Sequence, residues 1–293
     1  MFKSLADAIR EAEARKMTLS AVALAAESED SGRGVEDIRA TLRRALVVMR
    51  GAVKQGLVGD LYSASGLVGG DAAKLRTGPA GPLAGTPFRD ILARALAVQE
   101  VNAAMGVIVA APTAGGAGVL PAVLTGLADA RGLSDDNLID GLACAALIGA
   151  VIAERASLSG AEGGCQAETG SGAAMAAGAA TELLGGTPAQ CGHAVALAMQ
   201  GTLGLVCDPL GGLVELPCVF RNATGSAIAL AGIEMALAGI TFAIPVDEVI
   251  DVMGEIGASM DVRYRETAGG GLAATPTGRR LAKERLYQIK RAT

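Results

Sequence analysis

The chain has 293 residues, with 25 Lys and Arg against 30 Asp and Glu, a net charge of −5 and a pI near 5.1. No basic stripe runs along it, which argues against nucleic acid as a partner. Hydrophobic residues make up 51% and aromatic ones only 2%, so the apolar mass is Ala, Leu, Val and Ile, with 41 glycines. Ala and Leu favour helix, whereas a strand-rich chain would want more Tyr, Phe, Trp and Thr.

Two short helices are expected over 2–16 and about 18–28, with Ser4 and Thr18 as N-caps, followed by a loop, SEDSGRG, at 28–34. Over 35–55, Ile38, Leu42, Ala45, Leu46 and Met49 fall on one helical face, with charges opposite. Residues 56–85 are too rich in Gly and Pro for a long regular element. The length of that stretch marks it as functional or disordered, and its low polarity argues against disorder.

A helix is expected over 87–111, then a buried one from about 121 to 130. Asp135 and Asp136 open another that runs to about 153. EGGCQAETGSG at 162–172 reads as a Gly-rich turn, and 173–186 as a helix stopped by glycines. Pro188 starts a helix to about Leu203, 204–218 is irregular, and 221–239 is helical again. Pro245 opens an amphipathic helix to about 260, and a Gly-rich loop at 269–271 precedes a basic last helix.

No strand–helix alternation and no fixed-period repeat is present. The expected class is all-α: a helical domain whose Gly-rich loops converge on one site. Residues 1–55 are expected to form an N-terminal helical segment packed on a catalytic domain spanning 56–293. Mean hydropathy is +0.42, and residues 101–128 carry no charge. Pro112, Pro121 and the glycines interrupt that stretch before the roughly 20 residues a span needs, and there is no Trp for an interfacial belt. The start, MFKSLADAIREAEARK, has no apolar signal core. A cytoplasmic protein without a membrane span is expected. Its five cysteines would be reduced there, and the odd number also weakens a disulfide framework.

Three cysteines, Cys165, Cys207 and Cys218, sit in Gly- or Pro-rich segments. Cys144 and Cys191 sit in helical Ala- and Leu-rich surroundings. A thiolate ligand needs backbone N–H groups aimed at sulfur and room for an inorganic group, which Gly-rich turns provide. A buried helical Cys is normally a small hydrophobe. With 41 and then 10 intervening residues and no C-x-x-C pair, spacing alone leaves three unrelated buried cysteines open.

The segments EGGCQAETGSGAAMAAG and GLVCDPLGGLVELPCVFRNATGSA closely resemble the alpha subunit of bacterial iron–sulfur-dependent L-serine dehydratases. LYSASGLVGGDAAKL and APTAGGAGVLP support this, and the resemblance runs over about 56–270. It implies a [4Fe–4S] cluster held by Cys165, Cys207 and Cys218, with one iron lacking a cysteine and meeting the substrate. It also implies a beta subunit as partner, a small amino-acid substrate, and conversion of L-serine to pyruvate and ammonia. In some members a C-terminal Cys covers the fourth iron at rest. This chain ends Arg291-Ala292-Thr293 and is expected to lack that device. Phe220 stands where a polar residue is expected.

Donors for a substrate carboxylate are expected from Ser63, Ser65 and Gly66, and from the Thr113-Ala114-Gly115 turn. Lys74 and Arg221 are either carboxylate partners or structural ion pairs, and Asn222 is expected to cap the helix after Cys218. The single histidine, His193, reads as structural, so the proton-abstracting base is expected on the beta chain, with Glu168 as the alternative. Three other readings remain: a related cluster lyase acting on cysteine or threonine, a pyridoxal-phosphate enzyme using one of six lysines such as Lys54 or Lys74, and an inert helical scaffold.

Overall fold

The computed structural model describes residues 2–79 and 86–292. The helices are, in order, α1 Leu5–Arg15, α2 Leu19–Ser31, α3 Val35–Gly56, α4 Asp71–Thr77, α5 Thr86–Ala103, α6 Val119–Arg131, α7 Asp135–Arg155, the single turn α8 Gly160–Gly163, α9 Ser171–Leu183, α10 Pro188–Gln200, α11 Cys218–Leu237, α12 Val246–Ser259 and α13 Pro276–Ala292. Among the described residues the only β-pairing is two isolated bridges, Tyr62–Gly69 and Cys207–Arg265. The all-α class holds.

Local chemistry starts these helices where expected. The Ser4 and Thr18 hydroxyls accept the N–H of Asp7 and Ala21. Ser134 and Thr187 form reciprocal capping boxes with Asn137 and Gln190, and Pro188 takes the first turn of α10. Each such cap contributes about 1 kcal/mol.

Helix α9, SGAAMAAGAATEL, lies at the centre, buried along most of its length and packed by α6, α7, α10 and α11. Its composition permits this. A Cβ on Gly178 would come within 2.9 Å of Val195 Cγ2, so small residues let the neighbours close in. Around it Leu120, Leu124, Leu138, Ile139, Ile148 and Ile152 are essentially fully buried, each contributing about 1.5–3 kcal/mol. Helix α7 is long and apolar enough to cross a membrane, but 67% of its apolar window is buried inside this fold. Helices α1–α3 share the same core through Leu5, Leu19, Val22, Leu46 and Met49. Arg43 and Arg50 of α3 pair with Asp136 and Asp135 at the start of α7, at 2.7 and 2.6 Å, exposed contacts worth at most about 1 kcal/mol each.

Several sequence expectations change. Helix α5 ends at Ala103, and residues 107–110 carry no regular structure. Met105 turns there with φ +62, and Gly106 N–H bonds back to Val101 O. Helix α6 begins at Val119, with Pro121 in its first turn, where a missing N–H costs nothing. The 56–85 stretch contains α4. Its end, 80–85, lies outside the described residues. The expected Gly-rich turn at 162–172 is mostly helical: α8, then a single π-turn over Gln166–Gly170 that runs into α9. Helix α11 begins at Cys218, not 221, with Asn222 inside it.

Candidate functional site

Cys165 sits at the head of the π-turn, Cys207 in the loop between α10 and α11, and Cys218 at the first position of α11. All three thiols are free and buried, at 2%, 2% and 4% exposure. The three segments are stitched together by hydrogen bonds. Gln166 does most of this for the first two: its N–H reaches Leu205 O at 3.0 Å, and its Oε1 accepts Gly204 N–H at 2.8 Å. Arg221 links α11 to the Cys207 loop by donating to Val206 O at 2.8 Å and pairing with Asp208 Oδ1 at 2.8 Å. Leu210 N–H to Leu216 O, 2.9 Å, closes the loop between Cys207 and Cys218.

The thiols lie near enough to feel one another. Burial first, and then the charges of Cys165, Glu168 and Cys218, push the Cys207 thiol well above its ordinary range. Burial and Cys165 push Cys218 up to about 12, against the lowering effect of Arg221. Cys165 is raised by burial and partly relieved by Thr169, whose hydroxyl lies 3.2 Å from its sulfur. Ionising three such thiols together in a low-dielectric pocket is unfavourable unless positive charge enters with them. Among the described residues no three His, Cys, Asp or Glu side chains close on one point as a single metal ion requires. Cys144 and Cys191, by contrast, are fully buried in the helical core of α7 and α10.

Glu168, three residues after Cys165, is the carboxylate nearest the sulfurs. It is 8% exposed, accepts the Thr113 hydroxyl at 2.6 Å, and lies 3.9 Å from Cys207 Sγ. Burial raises its pKa, and the Thr113 bond offsets only part of that. The Thr113-Ala114-Gly115 turn is thereby seated on the π-turn. A Cβ on Gly115 would fall 2.8 Å from both Glu168 oxygens, and one on Gly116 2.7 Å from Glu168 O, so the glycines are required by this approach. Asn222, fully buried, locks the arrangement: its Oδ1 accepts Gly118 N–H at 2.9 Å while its Nδ2 donates to Gly115 O and Cys218 O at 2.7 and 2.9 Å. Gln99 donates to Ala114 O at 2.9 Å. With those carbonyls occupied, the N–H groups of Ala114 and Gly115 have no acceptor among the described residues.

The serine loop reaches the site through Glu215, three residues before Cys218. Ser65 Oγ donates to Glu215 Oε2, and Ser65 N–H to Oε1 at 3.4 Å. Gly66, at φ +68, turns the loop and bonds to Ser63 O at 2.9 Å. The backbone donors of Ser65 and Gly66 are thus used inside the protein. Glu100, 1% exposed, holds the far end by accepting the N–H groups of Asp71 and Ala72 at 2.6 and 3.0 Å.

The remaining candidates fall elsewhere. Lys74 pairs with Asp71 at the surface, and His193 Nδ1, on α10, accepts Phe242 N–H at 3.3 Å. Residues that sequence reasoning passed over include Glu215, the clamping role of Asn222, and Glu266. Cys207 N–H bonds to Tyr264 O and Glu266 N–H to Cys207 O, both at 2.8 Å. Glu266, at φ +65, adds negative charge felt by Glu168, Cys207 and Cys218. Only a tertiary pairing brings it there, so no local pattern could have marked it. Thr169, four residues after Cys165 on the same turn, was within reach of helical spacing.

The family model for the serine dehydratase alpha chain matches residues 14–273. The probable L-serine dehydratase alpha chain of Bacillus subtilis (strain 168) is 47% identical over 288 residues, 97% of this chain and 95% of its own. The L-serine dehydratase alpha chain of Peptoniphilus asaccharolyticus is 47% identical over 203 residues, 68% of this chain and 70% of its own. The L-serine dehydratase of Streptomyces coelicolor is 42% identical over 267 residues, 89% of this chain but 58% of its own. This chain belongs to the serine dehydratase alpha chain family.

Proposed function

We propose that the chain holds a [4Fe–4S] cluster on Cys165, Cys207 and Cys218 and, with a beta chain, deaminates L-serine to pyruvate and ammonia in the cytoplasm. What supports this reading is three buried thiols on three segments joined by hydrogen bonds, near enough to influence one another's ionisation, beside a turn whose N–H groups have no acceptor among the described residues. The donor set fits the group. Thiolates are the usual ligands of such clusters, and a polynuclear cluster takes each sulfur at a different corner, so the sulfurs need not close on one point.

When bound, the cluster supplies a Lewis-acidic iron without a cysteine ligand, which stabilises the departing hydroxyl oxygen. The chain's own residues do the rest of the work assigned to it. The Ala114 and Gly115 N–H groups would take the substrate carboxylate; Gln99 and Asn222 fix the turn that bears them. The Thr113 hydroxyl holds Glu168 with its other carboxyl oxygen 3.9 Å from Cys207 Sγ. Loss of the α-proton and of water gives aminoacrylate, which tautomerises to an imine and is hydrolysed to pyruvate and ammonia. His193 lies on α10 with its Nδ1 engaged by Phe242, so we assign the proton-abstracting base to the beta chain.

Anaerobic reconstitution tests this reading. About four irons and four sulfides per chain are expected, with serine deamination appearing only when the beta chain is added. Turnover of cysteine or threonine in preference to serine would move the assignment to a related lyase. Absence of bound iron after reconstitution would remove it.

A further inference from the structure

Away from the cysteines, a cavity of about 320 Å³ opens between α3, α4, α5 and α6, and its lining includes Arg50, Lys54, Arg76, Arg94 and Thr125. Four cations from three helices face it and no carboxylate does. On a chain with 30 acidic residues against 25 basic ones, that is an unusual segregation. Arg94 is fully engaged, with Asp90 at 2.6 Å, Asp129 at 2.5 Å and Thr125 at 3.1 Å. Arg50 is half engaged: one terminal nitrogen pairs with Asp135 at 2.6 Å, while its Nε is buried and has no hydrogen-bond partner among the described residues. Lys54 and Arg76 form no ion pair and no side-chain hydrogen bond among the described residues.

A buried donor without an acceptor is unfavourable, and neighbouring cations repel. Both costs are relieved by one anion. The guanidinium fork matches the tetrahedral oxygens of phosphate, and lysine adds a mobile point charge. The volume suits a small molecule and is too small for a helix or strand of another chain. We propose that this cavity binds a small phosphoryl-bearing anion through Arg50, Lys54 and Arg76.

The place in the fold gives such binding a consequence. Arg76 is on α4, the short helix that directly follows the serine loop, and Leu57 at the loop's start also lines the cavity. The first turn of α4 is held by Glu100, while its last turn offers Arg76 to the cavity. An anion bridging Arg50 and Lys54 of α3 to Arg76 would fix the second end of α4. The binding claim stands apart from the proposed reaction, since neither Lys54 nor Arg76 touches the cysteine site.

The test is calorimetric titration of the full chain with inorganic phosphate and with pyrophosphate at constant ionic strength, paired with hydrogen exchange. One saturable site is expected, with slower exchange over 71–77 on binding. Affinity should fall at least tenfold in the Lys54→Gln/Arg76→Gln double variant and stay unchanged in Arg10→Gln, which removes an exposed cation on α1. If the double variant folds poorly, each single variant should still weaken binding several-fold, because each removes one exposed side chain with no ion-pair or hydrogen-bond partner among the described residues. Binding of neither anion, or binding unchanged in the variants, would overturn the proposal.

Discussion

Asn222 joins three segments of the site. Its two polar atoms join the start of α6, the 113–115 turn and the first turn of α11, and it is completely buried. Asn222→Ala leaves Gly118 N–H buried without its acceptor and Gly115 O with only the longer 3.4 Å bond from Gln99, and should cost about 1–3 kcal/mol in urea denaturation. Asn222→Asp keeps the shape but turns a donor into an acceptor facing two carbonyls, so it should be no better. Sequence pattern alone suggested a helix cap here. The actual role follows from α11 starting three residues earlier, at Cys218, so that position 222 lies one turn inside the helix. The serine loop was likewise legible as a special segment from its Gly content. Its internal bonding was not legible, because Glu215, which takes Ser65, lies 150 residues away.

At the scale of elements, the fold is held by one helix supplying what another lacks. Glu182 near the end of α9 accepts Ser20 N–H at 3.2 Å with either oxygen, at the start of α2, and burial raises its pKa above the ordinary glutamate value of 4.5. The folded state therefore keeps this proton where the unfolded chain has lost it. Stability should fall as pH rises from the ordinary value toward the raised one, then level off. Thermal melts across that range should show this slope in the wild type and a smaller one in Glu182→Gln. An equal slope in both would exclude Glu182 as its source.

Glycines set the approach of elements. A Cβ on Gly225 of α11 would lie 2.6 Å from Thr169 Cγ2, and Thr169 contacts Cys165. Gly225→Ala should cost about 1–3 kcal/mol through overpacking and should also reduce iron retention after reconstitution. Most helices were readable from caps and apolar faces. The π-turn at 166–170 was not, since its glycines argued for a turn while burial against α9 and α12 made it helical.

Over the whole molecule, the small-residue core lets α9 run through the centre and brings three distant loops to one end of it. The cysteine-bearing segments were recognisable from their Gly- and Pro-rich context, and the two helical cysteines are core residues as expected. Of the two lysines near the Gly-rich loops, Lys74 is paired with Asp71 at the surface, and Lys54 lines the separate cationic cavity. What composition could not reveal was the contribution of 264–272. There Leu272 N–H bonds to Asp208 at 2.6 Å, and the Cys207–Arg265 bridge pins the second cysteine loop.

The central claim is tested most directly by iron and sulfide analysis, with anaerobic absorption spectra, on five single Cys→Ser variants of the reconstituted chain. Cys165→Ser, Cys207→Ser and Cys218→Ser should each lose the cluster, while Cys144→Ser and Cys191→Ser should keep a wild-type complement. A full complement retained by any of the first three, or lost only in the helical pair, would contradict the account.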